Sequence, residues 1–108
     1  MKTFDDREQA FENRFKYDED QKFKVLSRRA RLVGLWAAEK LGITGDAAEE
    51  YALTVVHADL EEPGYQDIIR KFRADFDAKG VDVSDHRIER ELERQLEIAR
   101  QQVATGEV

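Results

Sequence analysis

The chain has 108 residues, of which 39% are charged and 41% apolar, with a net charge of −6 and no cysteine. This length supports one domain with a single core, and the apolar fraction exceeds that of a disordered chain. The acidic balance argues against a general nucleic-acid binder, and the lack of cysteine excludes a disulfide framework and thiolate metal ligation.

Residues 1–22 are predicted to form an N-terminal arm and a hinge. Phe4, Phe11 and Phe15 are seven and four residues apart, which places them on one face of a helix. A helix of two to three turns is marginal in water, so we expect a mobile amphipathic arm with an intrinsically disordered N-terminus. The charged run at residues 16–22 separates this arm from the next apolar pattern and predicts the hinge.

The rest of the chain shows apolar residues at steps of three and four, a spacing that indicates amphipathic helices. Asp46 and Ser84 are suitable N-caps, and Gly42 and Gly80 are suitable C-caps. Short connections favour antiparallel packing of such helices. The sequence therefore predicts an all-α fold, a four-helix bundle over residues 23–104, with helices at about 23–41, 46–60, 64–79 and 85–103.

Residues with catalytic or ligating potential are few. The two histidines, His57 and His86, do not have the spacing of a metal-binding pair. We therefore expect neither an enzyme nor a metal or cofactor site. Trp36 and Tyr51 have two interpretations: core packing, or the lining of a small-molecule pocket, such as one for an adenine nucleotide.

A basic run at residues 28–31 also has two interpretations. Arg28, Arg29 and Arg31 either form an exposed helix face or contact an acidic surface or a nucleic acid. The acidic composition favours the first interpretation, so no nucleic-acid partner is expected. No stretch has the apolar length of a secretory signal or a membrane span, and we therefore expect a cytoplasmic protein without direct membrane insertion.

The three phenylalanines of the arm need a partner, because burying each one is worth roughly 1.5 to 3 kcal/mol. One interpretation is that the arm packs on its own bundle and extends the first helix. The other is that it folds on binding and lays its apolar face in a groove of another protein.

Several short motifs occur together along almost the whole chain. They are TFDDRE at 3–8, RLVGLWAA at 31–38, GITGD at 42–46, YALTVV at 51–56, DLEEPG at 59–64 and RK at 70–71. In these motifs and their order, the chain resembles the zeta subunit family, the inhibitors of alphaproteobacterial F-type ATP synthases.

This resemblance implies a four-helix bundle whose mobile N-terminal segment enters a catalytic interface between the alpha and beta subunits, near the gamma shaft, and blocks ATP hydrolysis by stopping rotation. The protein would be a regulatory inhibitor, peripherally associated with the membrane-bound ATP synthase. By position, the inhibitory segment is residues 3–15. From residue type, its apolar anchors are Phe4, Phe11 and Phe15, and its polar contacts are Asp5, Asp6, Arg7 and Glu8.

Overall fold

The computed structural model describes residues 4–59 and 64–106, with side chains from residue 18 onward. Its helices are α1 (Phe4–Lys40), α2 (Asp46–Asp59), α3 (Gln66–Lys79) and α4 (Asp85–Thr105), and the described ranges contain no strand. The predicted all-α, four-helix class is confirmed. The last predicted residue of the second helix, Leu60, lies outside the described residues.

The helix α1 is one continuous helix of 37 residues, which at ~1.5 Å per residue is roughly 55 Å long. It therefore includes the backbone of the predicted arm, the predicted hinge and the first predicted bundle helix. The division of the chain into arm and bundle stays a prediction. Along its C-terminal half, α1 packs against both α2 and α4.

The core lies where the apolar stripes of all four helices meet. Its largest fully buried side chains are Phe72 and Phe76 on α3. The other members of the core come from α1 (Ala30, Val33, Ala37), α2 (Val55), α3 (Ile68, Ile69) and α4 (Ile88, Leu92), together with Leu41 and Val83 from the connecting segments. Burial of this apolar surface supplies the main driving force for the fold.

Two local signals in the sequence set the ends of helices as expected. The Ser84 hydroxyl accepts a hydrogen bond of 3.1 Å from the backbone N–H of Arg87, which satisfies one free amide at the start of α4. Gly80 ends α3 in the left-handed conformation, with φ at 70°. These ends keep α3 and α4 adjacent through a short connection.

Candidate functional site

The residues of the predicted inhibitory segment lie at the N-terminal end of α1. Because this backbone is helical, positions 4, 11 and 15 fall within roughly 40° of one another around the axis. Thr3 and the side chains of the segment lie outside the described part of the structure; those side chains belong to Phe4, Asp5, Asp6, Arg7, Glu8, Phe11 and Phe15. The helical backbone thus places the three phenylalanine positions on one face of α1, as a single apolar face requires.

Trp36 is half-buried and packs against the aromatic core of α3. Its ring centroid lies 6.3 Å from that of Phe72 and 6.1 Å from that of Phe76, the second pair being nearly perpendicular at 88°. Edge-to-face geometry of this kind is favourable for aromatic pairs. These contacts use the ring for packing between α1 and α3.

Tyr51 is also half-buried, and its polar end makes contacts within the bundle. Its hydroxyl donates a hydrogen bond of 2.6 Å to Asp75 Oδ2, and the Lys71 ammonium lies 4.9 Å from the centre of its ring. Burial, followed by the hydrogen bond and the negative charge of Asp75, raises the pKa of the Tyr51 phenol. The phenol therefore stays neutral and tethers α2 to α3, and the nucleotide pocket proposed for Trp36 and Tyr51 stays a prediction.

The basic run at residues 28–31 does not form one cationic patch. Arg28 Nε donates a hydrogen bond of 2.6 Å to Gln102 Oε1 on α4, whereas the Arg31 guanidinium donates to both carboxylate oxygens of Glu49 on α2, at 3.0 and 2.9 Å. Arg29 is only 7% exposed. The three guanidiniums therefore engage different neighbours.

Arg29 forms a buried ionic contact with Asp59 at the end of α2. Arg29 Nη2 lies 4.0 Å from Asp59 Oδ1, and each side chain is 9% exposed. Burial lowers the pKa of Arg29 against the opposing effect of the Asp59 charge, and burial raises the pKa of Asp59 against the opposing effect of Arg29. Desolvation therefore outweighs the attraction in both groups, and this contact ties α1 to α2 at an energetic cost.

A further feature is a surface groove over α1, which sequence patterns did not indicate. Its apolar part includes Phe23 on α1, Val56 on α2 and Val103 on α4, and its volume is about 470 Å³. Lys24, Arg28 and Arg31 line it as well, together with Gln21, Ser27 and Gly106. We call it the α1–α2–α4 groove. Phe23 lies three residues before Leu26 and so falls on the apolar stripe of α1, which is why its spacing did not mark it as a groove residue.

Among the described residues, no group of three or more His, Asp or Glu side chains is arranged to hold a metal ion. Within the same ranges, no helix has the length and apolarity needed to cross a bilayer.

Comparison with known proteins adds two findings. The family model of the ATPase inhibitor subunit zeta matches residues 1–102. A solved chain, titled "Solution NMR structure of the protein", is similar with 39% sequence identity and a TM-score of 0.70, over 79% of this chain and 96% of the solved one. No curated protein matches the chain.

Proposed function

The chain belongs to the ATPase inhibitor subunit zeta family, and on that premise we propose that its N-terminal arm docks at an alpha/beta catalytic interface of an F-type ATP synthase and blocks rotation. Family membership supports a regulatory, inhibitory role at the ATP synthase. The interface, the contact with the gamma shaft and the roles of single residues are the parts that we propose.

The observation that supports the arm as the inhibitory element is the unbroken helix from Phe4 to Lys40. An amphipathic helix with apolar positions at 4, 11 and 15 fits a hydrophobic groove in a partner protein. A segment with helical preference also loses less conformational freedom on docking than a random chain, which favours binding.

The bundle supplies the second part of the proposed inhibitory mechanism, an anchor for the arm. The C-terminal half of α1 is fixed by core contacts of Ala30, Val33 and Ala37, all fully buried. A helix inserted by its N-terminal end would thus be anchored at its other end in a folded body. Rotation requires the catalytic interface to change shape. The inserted arm, held at its other end by the bundle, would oppose that change.

The test is ATP hydrolysis by the cognate catalytic sector, titrated with the full chain. Replacing both Phe11 and Phe15 by Ala should raise the half-inhibitory concentration more than hundredfold, because each buried Phe contributes roughly 1.5 to 3 kcal/mol. The control is Asn13→Ala, on the opposite face of the helix, which should retain inhibition.

A second variant lacks the residues before Lys16 and should not inhibit, while circular dichroism should show a folded helical bundle. Undiminished inhibition by the Phe11→Ala/Phe15→Ala chain or by the truncated chain would contradict an inhibitory arm.

The alternative function, a helical module that binds an adenine nucleotide, stays a prediction. Trp36 is the single tryptophan of the chain, so its fluorescence reports on this region alone. A nucleotide site beside Trp36 and Tyr51 requires a saturable fluorescence change that Tyr51→Phe weakens. An unchanged spectrum at millimolar nucleotide would argue against it.

A further inference from the structure

The α1–α2–α4 groove collects apolar surface that the bundle leaves open. Among the described residues, the large apolar side chains exposed by more than half are Phe23 at 58% and Leu53 at 57%. Phe23 lines the groove, and Leu53 lines an adjoining hollow of about 290 Å³ that shares Arg31 and Val56 with it. Exposed apolar surface concentrated in one place is typical of interaction sites.

Within the described part of the chain, the charged residues that line the groove are the cations Lys24, Arg28 and Arg31. Arg31 is already paired with Glu49, which lines the adjoining hollow together with Glu50. Arg28 is bonded to the neutral side chain of Gln102, so its charge is not balanced by that contact. A partner that fits must therefore combine apolar surface with negative charge.

We propose that this groove binds an acidic amphipathic helix of the ATP synthase catalytic sector and forms a second contact beside the arm. The inference rests on the proposed function. The apolar face of the bound helix would cover Phe23, Val56 and Val103, and its carboxylates would face Lys24 and Arg28. Helix-in-groove recognition uses this combination of an apolar floor and a charged rim.

The position of the groove on α1 favours a partner helix over the chain's own arm. Phe23 follows Phe15 by eight residues, which is about 12 Å along the helix. Because α1 is helical from Phe4 to Lys40, it directs the arm away from the groove rather than over it. A protein that holds the arm is therefore close enough to reach the groove at the same time.

The test measures binding of the full chain to the isolated catalytic sector. The chain lacks cysteine, so Thr44→Cys, at an exposed position between α1 and α2 outside the groove, takes a single fluorescent label whose anisotropy gives Kd. The double variant Phe23→Ala/Lys24→Glu should raise Kd at least tenfold, or about 1.4 kcal/mol. Added salt should weaken wild-type binding more than binding of the variant.

The matched charge control is Lys79→Glu, at an exposed lysine on α3 outside the groove, which should leave Kd unchanged. Both changed groove side chains are exposed, so the variant should keep the wild-type helical circular dichroism and urea midpoint. An unchanged Kd in the groove variant would overturn the proposal. The proposal would also be overturned if the wild-type chain formed a concentration-dependent dimer in sedimentation and the groove variant stayed monomeric, because the occupant of the groove would then be a second copy.

The assay also separates this proposal from the inhibitory role of the arm. Complete inhibition at saturation, together with a Kd that the groove variant raises and Lys79→Glu leaves unchanged, supports both proposals. If the wild-type chain binds through Phe23 and Lys24 but does not inhibit, the groove proposal stands and the proposed function fails. If inhibition depends on Phe11 and Phe15 but Kd is independent of the groove, the reverse holds.

Discussion

The replacement of Gly34 by Ala tests how closely α1 and α2 pack. A Cβ atom built on Gly34 lies 2.8 Å from the Cα of Ala52, 3.2 Å from its Cβ and 3.3 Å from the Cβ of Val55. The nearest atom belongs to the backbone of α2 and cannot rotate away. The added methyl group must therefore push the two helices apart at a site where Ala52 and Val55 are fully buried.

Two opposing effects set the size of the change. Alanine in place of glycine inside a helix stabilises by roughly 0.8 to 1 kcal/mol, whereas overpacking a close interface costs typically 1 to 3 kcal/mol. Because the contact at Gly34 is with backbone, we expect the cost to lie near the upper value. The free energy of unfolding should fall by about 1 to 2 kcal/mol.

Urea denaturation followed by circular dichroism measures this change. With a slope of about 1.5 kcal/mol per molar urea, the midpoint should fall by roughly 1 M. The control is Ala74→Gly, at an exposed position of α3, which measures the propensity effect alone and should cost about 1 kcal/mol. A higher midpoint for Gly34→Ala than for the wild type would refute the close approach of the two helices.

Other predictions concern single interactions in the bundle. Because burial raises the pKa of Asp59, protonation of this carboxyl stabilises the folded state at acid pH, and that stabilisation is lost as pH rises from about 4 through the raised pKa. Asp59→Asn should remove this part of the pH dependence of the urea midpoint. Ser84→Ala removes the N-cap of α4 and should lower the free energy of unfolding by about 1 kcal/mol in the same assay. Since the pKa of the Tyr51 phenol is raised, the absorbance change of this phenol should fall at the strongly alkaline end of a titration, and Tyr51→Phe should remove it.

The helices and their ends could be predicted from sequence because the signals are local. The stripe of Ile88 and Leu92 and the cap at Ser84 each depend on residues within a few positions of one another, and the structure places them as expected. Short connections also limited the packing to a bundle. The backbone of the arm continues α1, as in the interpretation that extends the first helix, whereas the contacts of the arm with the bundle or with a partner stay a prediction.

The groove could not be predicted, because its walls come from residues far apart in sequence. In the sequence, Phe23, Val56 and Val103 look like ordinary members of three separate helical stripes. Only the rotation of each helix in the bundle shows that these three stripe residues line a surface groove. The exposed helix face predicted for residues 28–31 is wrong for Arg29, which is only 7% exposed, and the reason is again the rotation of the helix. Arg29 turns inward to Asp59, while Arg28 and Arg31 remain beside the groove.

A single helix contributes to each part of the proposed inhibitor. The N-terminal end of α1 provides the arm, its middle provides one wall of the groove, and its C-terminal half provides buried residues such as Val33. Linked contacts on one helix increase each other's effective concentration when a partner can reach both. A modest groove contact would therefore increase the residence time of the arm without strengthening the arm itself. The concentration needed for inhibition should then depend on the bundle surface as well as on the phenylalanines. Phe23→Ala/Lys24→Glu is therefore expected to lower affinity while inhibition at saturation stays complete.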